Sequence, residues 1–264
     1  MNKKTAVITG ASRGIGLAIA KALLEKNYKV YGLCRHPDLQ EKEISWITCD
    51  VSLKASVEHA LNTILDETGQ IDILVNNAGM GVSGAAEFTS AQAVQRQLQV
   101  NLEGVIWCTQ AVIPSMRKAG KGKILFVSSL GAIFPLPYQS FYSVSKAGMN
   151  VFSDALGIEL KPFHIQTCAL MLNDVKTEFT QSREKSFLGD DVYQGRIKRS
   201  VTKMEISEQH GMSPETVARL AVKLLEKRHM PAHATAGFSN KILVFLYHIL
   251  PSGLMLKLLG KIYG

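Results

Sequence analysis

Cysteine is scarce in this 264-residue chain, and Cys34, Cys49, Cys108 and Cys168 stand far apart, with no CxxC and no histidine at zinc-ligand spacing. That pattern argues against a disulfide framework and a metal site, and leaves four small apolar residues expected in the interior. No apolar run approaches the ~20 residues a membrane-spanning helix needs. The opening "MNKKTAVITGASRGIG" enters a strand pattern with no apolar leader or cleavage site, so a cytoplasmic location is the expectation. Internal repeats, low-complexity tracts and Pro/Ser linkers are also missing. Charged residues are only 20% and apolar ones 46%, which is a folded rather than a disordered balance. The net charge of +8 comes from dispersed Lys and Arg, with one modest cluster, "GRIKRSVTK", at 195–203. No nucleic-acid-binding motif accompanies it, so it reads as solvated surface and nucleic acid is not an expected partner.

What is present is alternation. Short aliphatic runs, "TAVIT" (5–9), "KVYGL" (29–33), "SWITC" (45–49), "DILV" (72–75), "KILFV" (123–127) and "IQTCALM" (165–171), are separated mostly by helical patterns. Nearly continuous apolar strands imply burial on both faces, hence an α/β fold with a doubly wound, Rossmann-type parallel sheet and helices on each side. Ligands of such sheets bind beyond the carboxyl ends of the strands.

The first run is followed by "TGASRGIGLAIAKALLEK". Gly10, Gly14 and Gly16, with Ser12, Arg13 and Ile15 between them, form a tight turn opening an amphipathic helix, which suits a pyrophosphate. The spacing is GxxxGxG. The second run ends "YGLCRHP", with Cys34 and Arg35 where an NAD site usually has a carboxylate for the ribose 2′-hydroxyl. Arg35 and Arg13 offer planar donors to a 2′-phosphate, so NADP(H) is expected over NAD(H); the alternative is two ordinary surface arginines. Asp50 and Val51 follow the third run, placed for an adenine amino group and ring. Asn76, Asn77, Ala78 and Gly79 follow the fourth, either as cofactor contacts that leave room for a ribose or as turn formers.

"FYSVSKAGMN" sets Tyr142 and Lys146 four residues apart among small side chains. On a helix the two share a face. A phenol titrates near ~10 unperturbed, and a neighbouring ammonium is expected to lower that value toward use in proton transfer.

The series "TGASRGIG", "CDVS", "NNAG", "VNLEG", "VSS" and "YSVSK", in this order and spacing, closely resembles the short-chain dehydrogenases/reductases over roughly residues 5–180. The resemblance implies one domain over 1–264, a sheet of about seven strands, and a catalytic set of Asn101, Ser129, Tyr142 and Lys146. It further implies hydride transfer between a nicotinamide and a carbonyl or carbinol carbon, with Tyr142 moving the proton and Ser129 bonding the oxygen. Lys146 would hold the nicotinamide ribose and Asn101 a water. Homodimers or homotetramers are common in the family. Where its members usually have Pro-Gly, this chain has Leu172 and Asn173; Val175 and Thr177 keep the following pattern, with Thr177 available to the nicotinamide carboxamide. Asn173 tolerates a positive φ and is expected to keep the turn. A non-catalytic nucleotide-binding relative and a 3-oxoacyl thioester reductase are the alternatives.

Residues 178–212 form the family's variable substrate loop, and "SPETVARLAVKLLEK" (213–227) reads as a helix capped by Ser213 with Pro214 first. The tail, 238–264, carries an apolar run, Ile242–Leu250, stopped by Pro251. It has three readings: a packed core or dimer helix, a lid over a lipophilic substrate, or a peripheral membrane contact aided by Lys241, Lys257 and Lys261. An apolar ketone or secondary alcohol is the expected substrate.

Overall fold

The computed structural model describes residues 3–37 and 40–263; residues 1, 2, 38, 39 and 264, the last of them the end of the tail, lie outside the described residues. The chain runs β1 (Thr5–Thr9), α1 (Gly14–Glu25), β2 (Lys29–Cys34), β3 (Ser45–Thr48), α2 (Lys54–Thr68), β4 (Ile73–Asn76), β5 (Val82–Ser83), α3 (Ala91–Leu98) and α4 (Gly104–Ala119). It continues β6 (Gly122–Ser129), α5 (Ser140–Glu159), β7 (Ile165–Leu172), α6 (Phe179–Ser182), β8 (Glu184–Lys185), α7 (Arg196–Gln209), α8 (Pro214–Glu226), β9 (His233–Thr235), α9 (Phe238–Ile249) and α10 (Ser252–Tyr263). Seven strands pair in the order β3-β2-β1-β4-β6-β7-β9, every pair parallel, while β5 and β8 form a separate ribbon. The doubly wound parallel sheet read from the sequence is the fold. At three residues, β9 is too short to show a period.

The strand period of two divides the core. Ala6, Ile8, Val75, Leu125 and Val127 point to a layer closed by Ile19 and Leu23 of α1 and Val217, Val222 and Leu225 of α8. Val7, Leu74, Ile124 and Phe126 point the other way, to Leu61 and Ile64 of α2, Val112 of α4 and Met149 of α5. Full burial of one such aliphatic or aromatic side chain is worth about 1.5–3 kcal/mol, so the two layers fix which strand ends sit side by side. The strand order reverses between β1 and β4, which opens a crevice at their carboxyl ends.

All four cysteines are buried and free. Burial pushes their thiols up and keeps them protonated and unreactive. Helix α8 begins as expected, with Pro214 first and the Ser213 hydroxyl accepting from the Thr216 N–H. The tail is two helices broken at Pro251; α9 has no fully buried residue, and its inner face, Val244 and Tyr247, packs on Leu130, Phe134 and Met171. Asn173 is not in the left-handed region that the sequence reading assigned to it. The turn is held instead from outside. Met212 donates to the Asp174 carbonyl at 3.0 Å and accepts from Lys176 N–H at 2.9 Å. Gly211 lies so close to Asp174 that a Cβ there would sit 2.4 Å from its carbonyl carbon.

Candidate active site

The crevice begins at the glycine turn. Gly10 has φ +65°, and a Cβ on Gly16 would lie 2.3 Å from the Gly10 carbonyl oxygen, so only glycine lets α1 start against this turn. Helix α1 has no side-chain cap and no acidic residue in its first turn. Its first N–H groups and positive dipole end are left for an anion, which fits a dinucleotide pyrophosphate. Ser12 is half-buried beside Cys34; Ile15 packs against the α1/α8 layer. Arg13 and Arg35 are exposed, with Cys34 at the end of β2.

Asn77 is bonded to the glycine turn. Its amide donates to the carbonyls of Thr9 at 3.0 Å and Gly10 at 3.1 Å, and Thr9 Oγ1 accepts from the N–H groups of Asn77 and Ala78. This net locks the end of β4 to the glycine turn. Asn76, one residue earlier, is buried and donates to Thr109. Asp50 is anchored by Ser52 and Ser56, and Val51 is buried against Gly104. Thr177 lies over Gly14, where a Cβ would be 3.4 Å from its methyl, and Val175 bridges to Met212.

Next along the sheet edge come the reactive groups. Ser129 ends β6, and its hydroxyl accepts from the Gly131 N–H at 3.0 Å. It also faces the Tyr142 phenol and draws its pKa down. Lys146, one turn along α5, holds its ammonium 5.9 Å from the Tyr142 ring centroid and donates to the Val127 carbonyl at 2.8 Å. Asn101 sits in a π-helical turn, 99–103, of the kind often found at functional sites. A Cβ on Gly79 would lie 3.5 Å from Asn101 Oδ1 and 4.0 Å from Lys146 Nζ. Asn101, Ser129, Tyr142 and Lys146 are thus brought together.

Two features of the cluster are not visible in the sequence. The Asn101 amide is occupied: it accepts from Met80 N–H and donates to the Met80 carbonyl and to Ser145, whose hydroxyl bonds the Tyr142 carbonyl. Its side chain therefore positions α5 and the 79–81 turn. The Tyr142 phenol is pushed up rather than down, mainly by burial, with the Ser129 hydrogen bond and Arg183 pulling down and Glu208 pushing up. Burial also pushes the Lys146 ammonium down to about 8. In both cases the largest cause is the cost of taking the charged form out of water.

Sequence reasoning missed the cover. Phe179 lies 6.1 Å, centroid to centroid, from Tyr142, and the Arg183 guanidinium stands 5.6 Å over Phe179. Arg183 is almost fully buried and paired with Glu208 of α7, which also accepts from Thr180. Glu178 pairs with Arg13 at 3.2 Å, so the segment 177–183 lies across the crevice from the glycine turn to Tyr142. In a long polar loop Arg183, between Ser182 and Glu184, looks like its exposed charged neighbours.

Known proteins resemble this chain along most of its length. The family described as short chain dehydrogenase matches residues 4–186. A protein of Bacteroides thetaiotaomicron named 3-ketodihydrosphingosine reductase is 36% identical over 239 residues, 90% of this chain and 89% of its own. Retinol dehydrogenase 8 of Bos taurus is 30% identical, covering 95% of this chain and 86% of its own. A short-chain dehydrogenase structure from Streptomyces avermitilis superposes with a TM-score of 0.83 at 23% identity, over 94% of this chain and 96% of that one, and shows the shared fold. With a nucleotide crevice, a Ser–Tyr–Lys cluster at its edge and relatives matched along nearly the whole length, the chain belongs to the short-chain dehydrogenase/reductase family of oxidoreductases.

Proposed function

We propose that this chain is an NADPH-dependent reductase of an apolar ketone, acting in reverse on the secondary alcohol, with Tyr142 as the proton donor and acceptor. The convergence of Asn101, Ser129, Tyr142 and Lys146 beside the crevice carries the reading. The bound nicotinamide supplies a hydride. The chain's own residues do the rest: Tyr142 Oη gives its proton to the carbonyl oxygen, Ser129 Oγ hydrogen-bonds that oxygen, and Lys146 sets its positive charge beside both. Gly10, Ser12, Arg13, Gly14, Ile15 and Gly16 hold the phosphates, with Asp50, Val51, Ala78 and Gly79 on the adenosine side and Val175 and Thr177 on the nicotinamide side.

The preference for NADP(H) rests on Arg35 and Arg13 and on the absence of a carboxylate at the end of β2. Arg35→Ala with Arg13→Ala is expected to raise KM for NADPH about tenfold or more and to leave KM for NADH within a factor of two, because only the 2′-phosphate loses its donors. An equal rise for both cofactors contradicts this assignment. Glu178→Gln frees Arg13 from its exposed partner. Since such pairs are worth at most about 1 kcal/mol, NADPH is expected to bind two- to fivefold more tightly in a fluorescence titration. Unchanged binding shows that Glu178 does not compete.

An apolar substrate is supported by Phe179 against Tyr142, by Leu130 and Phe134 directly after Ser129, and by relatives whose names specify a ketosphingoid base and retinol. A homo-oligomer is supported by Val144, Val151 and Ile158, exposed at seven-residue intervals along α5. The reading also includes a peripheral membrane contact through 238–264.

A further inference from the structure

Half of the large apolar side chains that the described chain exposes, nine of eighteen, lie in α9 and α10. Soluble surfaces scatter such residues singly, and a contiguous concentration marks a contact face. The inner faces of the two helices are already used. Val244 and Tyr247 of α9 and Met255 and Leu259 of α10 pack on Leu130, Phe134 and Met171, and the Tyr247 and Phe134 rings meet edge-on at 5.2 Å. The pair of helices therefore rests on the turn that immediately follows Ser129. Lys203 Nζ, on α7 of the substrate loop, donates to the Ile262 carbonyl at 2.6 Å and ties α10 to that loop.

The outer face has a period. Phe238, Ile242, Phe245 and Ile249 stand at i, i+4, i+7 and i+11, one stripe along α9, and Phe238, Phe245 and Ile249 are 79%, 63% and 58% exposed. Exposed Lys241, Lys257 and Lys261 flank the stripe and α10. The chain has 22 Asp and Glu, yet 238–264 contains none. No helix among the described residues is long and apolar enough to cross a membrane. What remains is a helix pair with an apolar outer stripe and a one-signed charged border, the composition of an element that lies in a lipid interface.

The charge pattern chooses between occupants. A second copy meeting this face about a two-fold axis would set one tail's lysines against the other tail, which has no carboxylate to pair them, and buried unpaired ammonium groups are costly. An anionic bilayer supplies both acyl chains for the stripe and phosphates for the lysines.

We propose that α9 and α10 form a docking surface for an anionic lipid bilayer, with Phe238, Ile242, Phe245 and Ile249 entering the acyl boundary and Lys241, Lys257 and Lys261 meeting lipid phosphates. Because the pair seats on the Leu130–Phe134 turn, docking brings the Ser129–Tyr142 side of the crevice toward the lipid phase. That would let an apolar ketone pass from the membrane without crossing water. This last step rests on the reductase reading; the docking itself does not.

The test is flotation of the full-length chain with vesicles of phosphatidylcholine alone and of phosphatidylcholine mixed with phosphatidylglycerol. Wild type is expected to float with the mixed vesicles, to stay down with phosphatidylcholine alone, and to be released by salt. Phe245→Glu with Ile249→Glu is expected to cut the bound fraction about tenfold or more, and Lys257→Gln or Lys261→Gln to weaken binding about fivefold each. All variants are assayed for NADPH-dependent turnover of a water-soluble ketone, expected unchanged. Wild type that turns over but does not float overturns the docking surface alone; wild type that floats without turnover leaves docking and rejects the reductase reading. Equal flotation on both vesicle types overturns the anionic assignment. A wild-type dimer that neither floats nor survives Phe245→Glu with Ile249→Glu on gel filtration assigns the face to a second copy and overturns the proposal.

Discussion

Tyr142→Phe is expected to lower kcat for ketone reduction by about 10²–10⁴-fold while leaving NADPH binding within a factor of two. The substitution removes one oxygen and keeps the ring that packs against Phe179. General acid–base groups contribute that range, or about 3–5 kcal/mol of the barrier. Burial holds the Tyr142 phenol above its usual 10, so at neutral pH the donor stays protonated, which suits reduction. The sign for pH follows. Reduction should hold through neutral pH and fall only as the medium approaches the pKa of Tyr142. Oxidation needs the phenolate and should rise over that same interval. Ser129 and Arg183 pull the phenol down, so their loss should move both limbs to higher pH. A Tyr142→Phe protein with wild-type turnover contradicts the mechanism.

Lys146→Met is expected to abolish most activity and, in the cofactor-free protein, to raise stability at neutral pH. Lys146 is only 5% exposed, and burial lowers its ammonium from 10.5 to about 8. The unfolded chain holds that proton more tightly than the native one. The cost to the fold is therefore complete below about 8, shrinks as pH rises, and is gone above 10.5. Between those pH values, stability from this group rises with pH. At about 1.4 kcal/mol per pH unit the penalty is of order 3 kcal/mol, offset in the variant by about 1 kcal/mol for the Val127 carbonyl it leaves unpaired. Urea denaturation should show Lys146→Met more stable than wild type near neutrality, with the advantage disappearing by about pH 10. A variant less stable than wild type at neutral pH would show that the lysine supports the apo fold.

The sequence exposes this fold where local chemistry dictates geometry. Short, nearly apolar runs such as "TAVIT" read as inner parallel strands, and the glycine turn after the first of them reads as a phosphate cradle once α1 opens behind it. Tyr142 and Lys146 were legible because helical spacing alone puts them on one face. What the sequence hid depends on chain segments meeting from afar. Asn77 reads as a cofactor contact or a turn former, and its bonds to the carbonyls of Thr9 and Gly10 come into view only with the fold. Asn173 seemed to need a positive φ until Met212 and Gly211, nearly forty residues later, proved to hold the turn. Burial of Arg183 needs Glu208 from α7, across a loop with no period. The pKa direction expected of Tyr142 differs for the same reason: the spacing to Lys146 is visible in the sequence, whereas desolvation is set by the whole fold.

The most direct measurement of the central claim follows the hydride. NADPH carrying deuterium at C4, in its two stereoisomers, is incubated with the protein and a long-chain ketone, and the alcohol is analysed by mass spectrometry. The account predicts one deuterium on the carbinol carbon from one stereoisomer only, formed by wild type and reduced at least a hundredfold in Tyr142→Phe. Alcohol without deuterium from either isomer, or equal labelled product from both proteins, would contradict it.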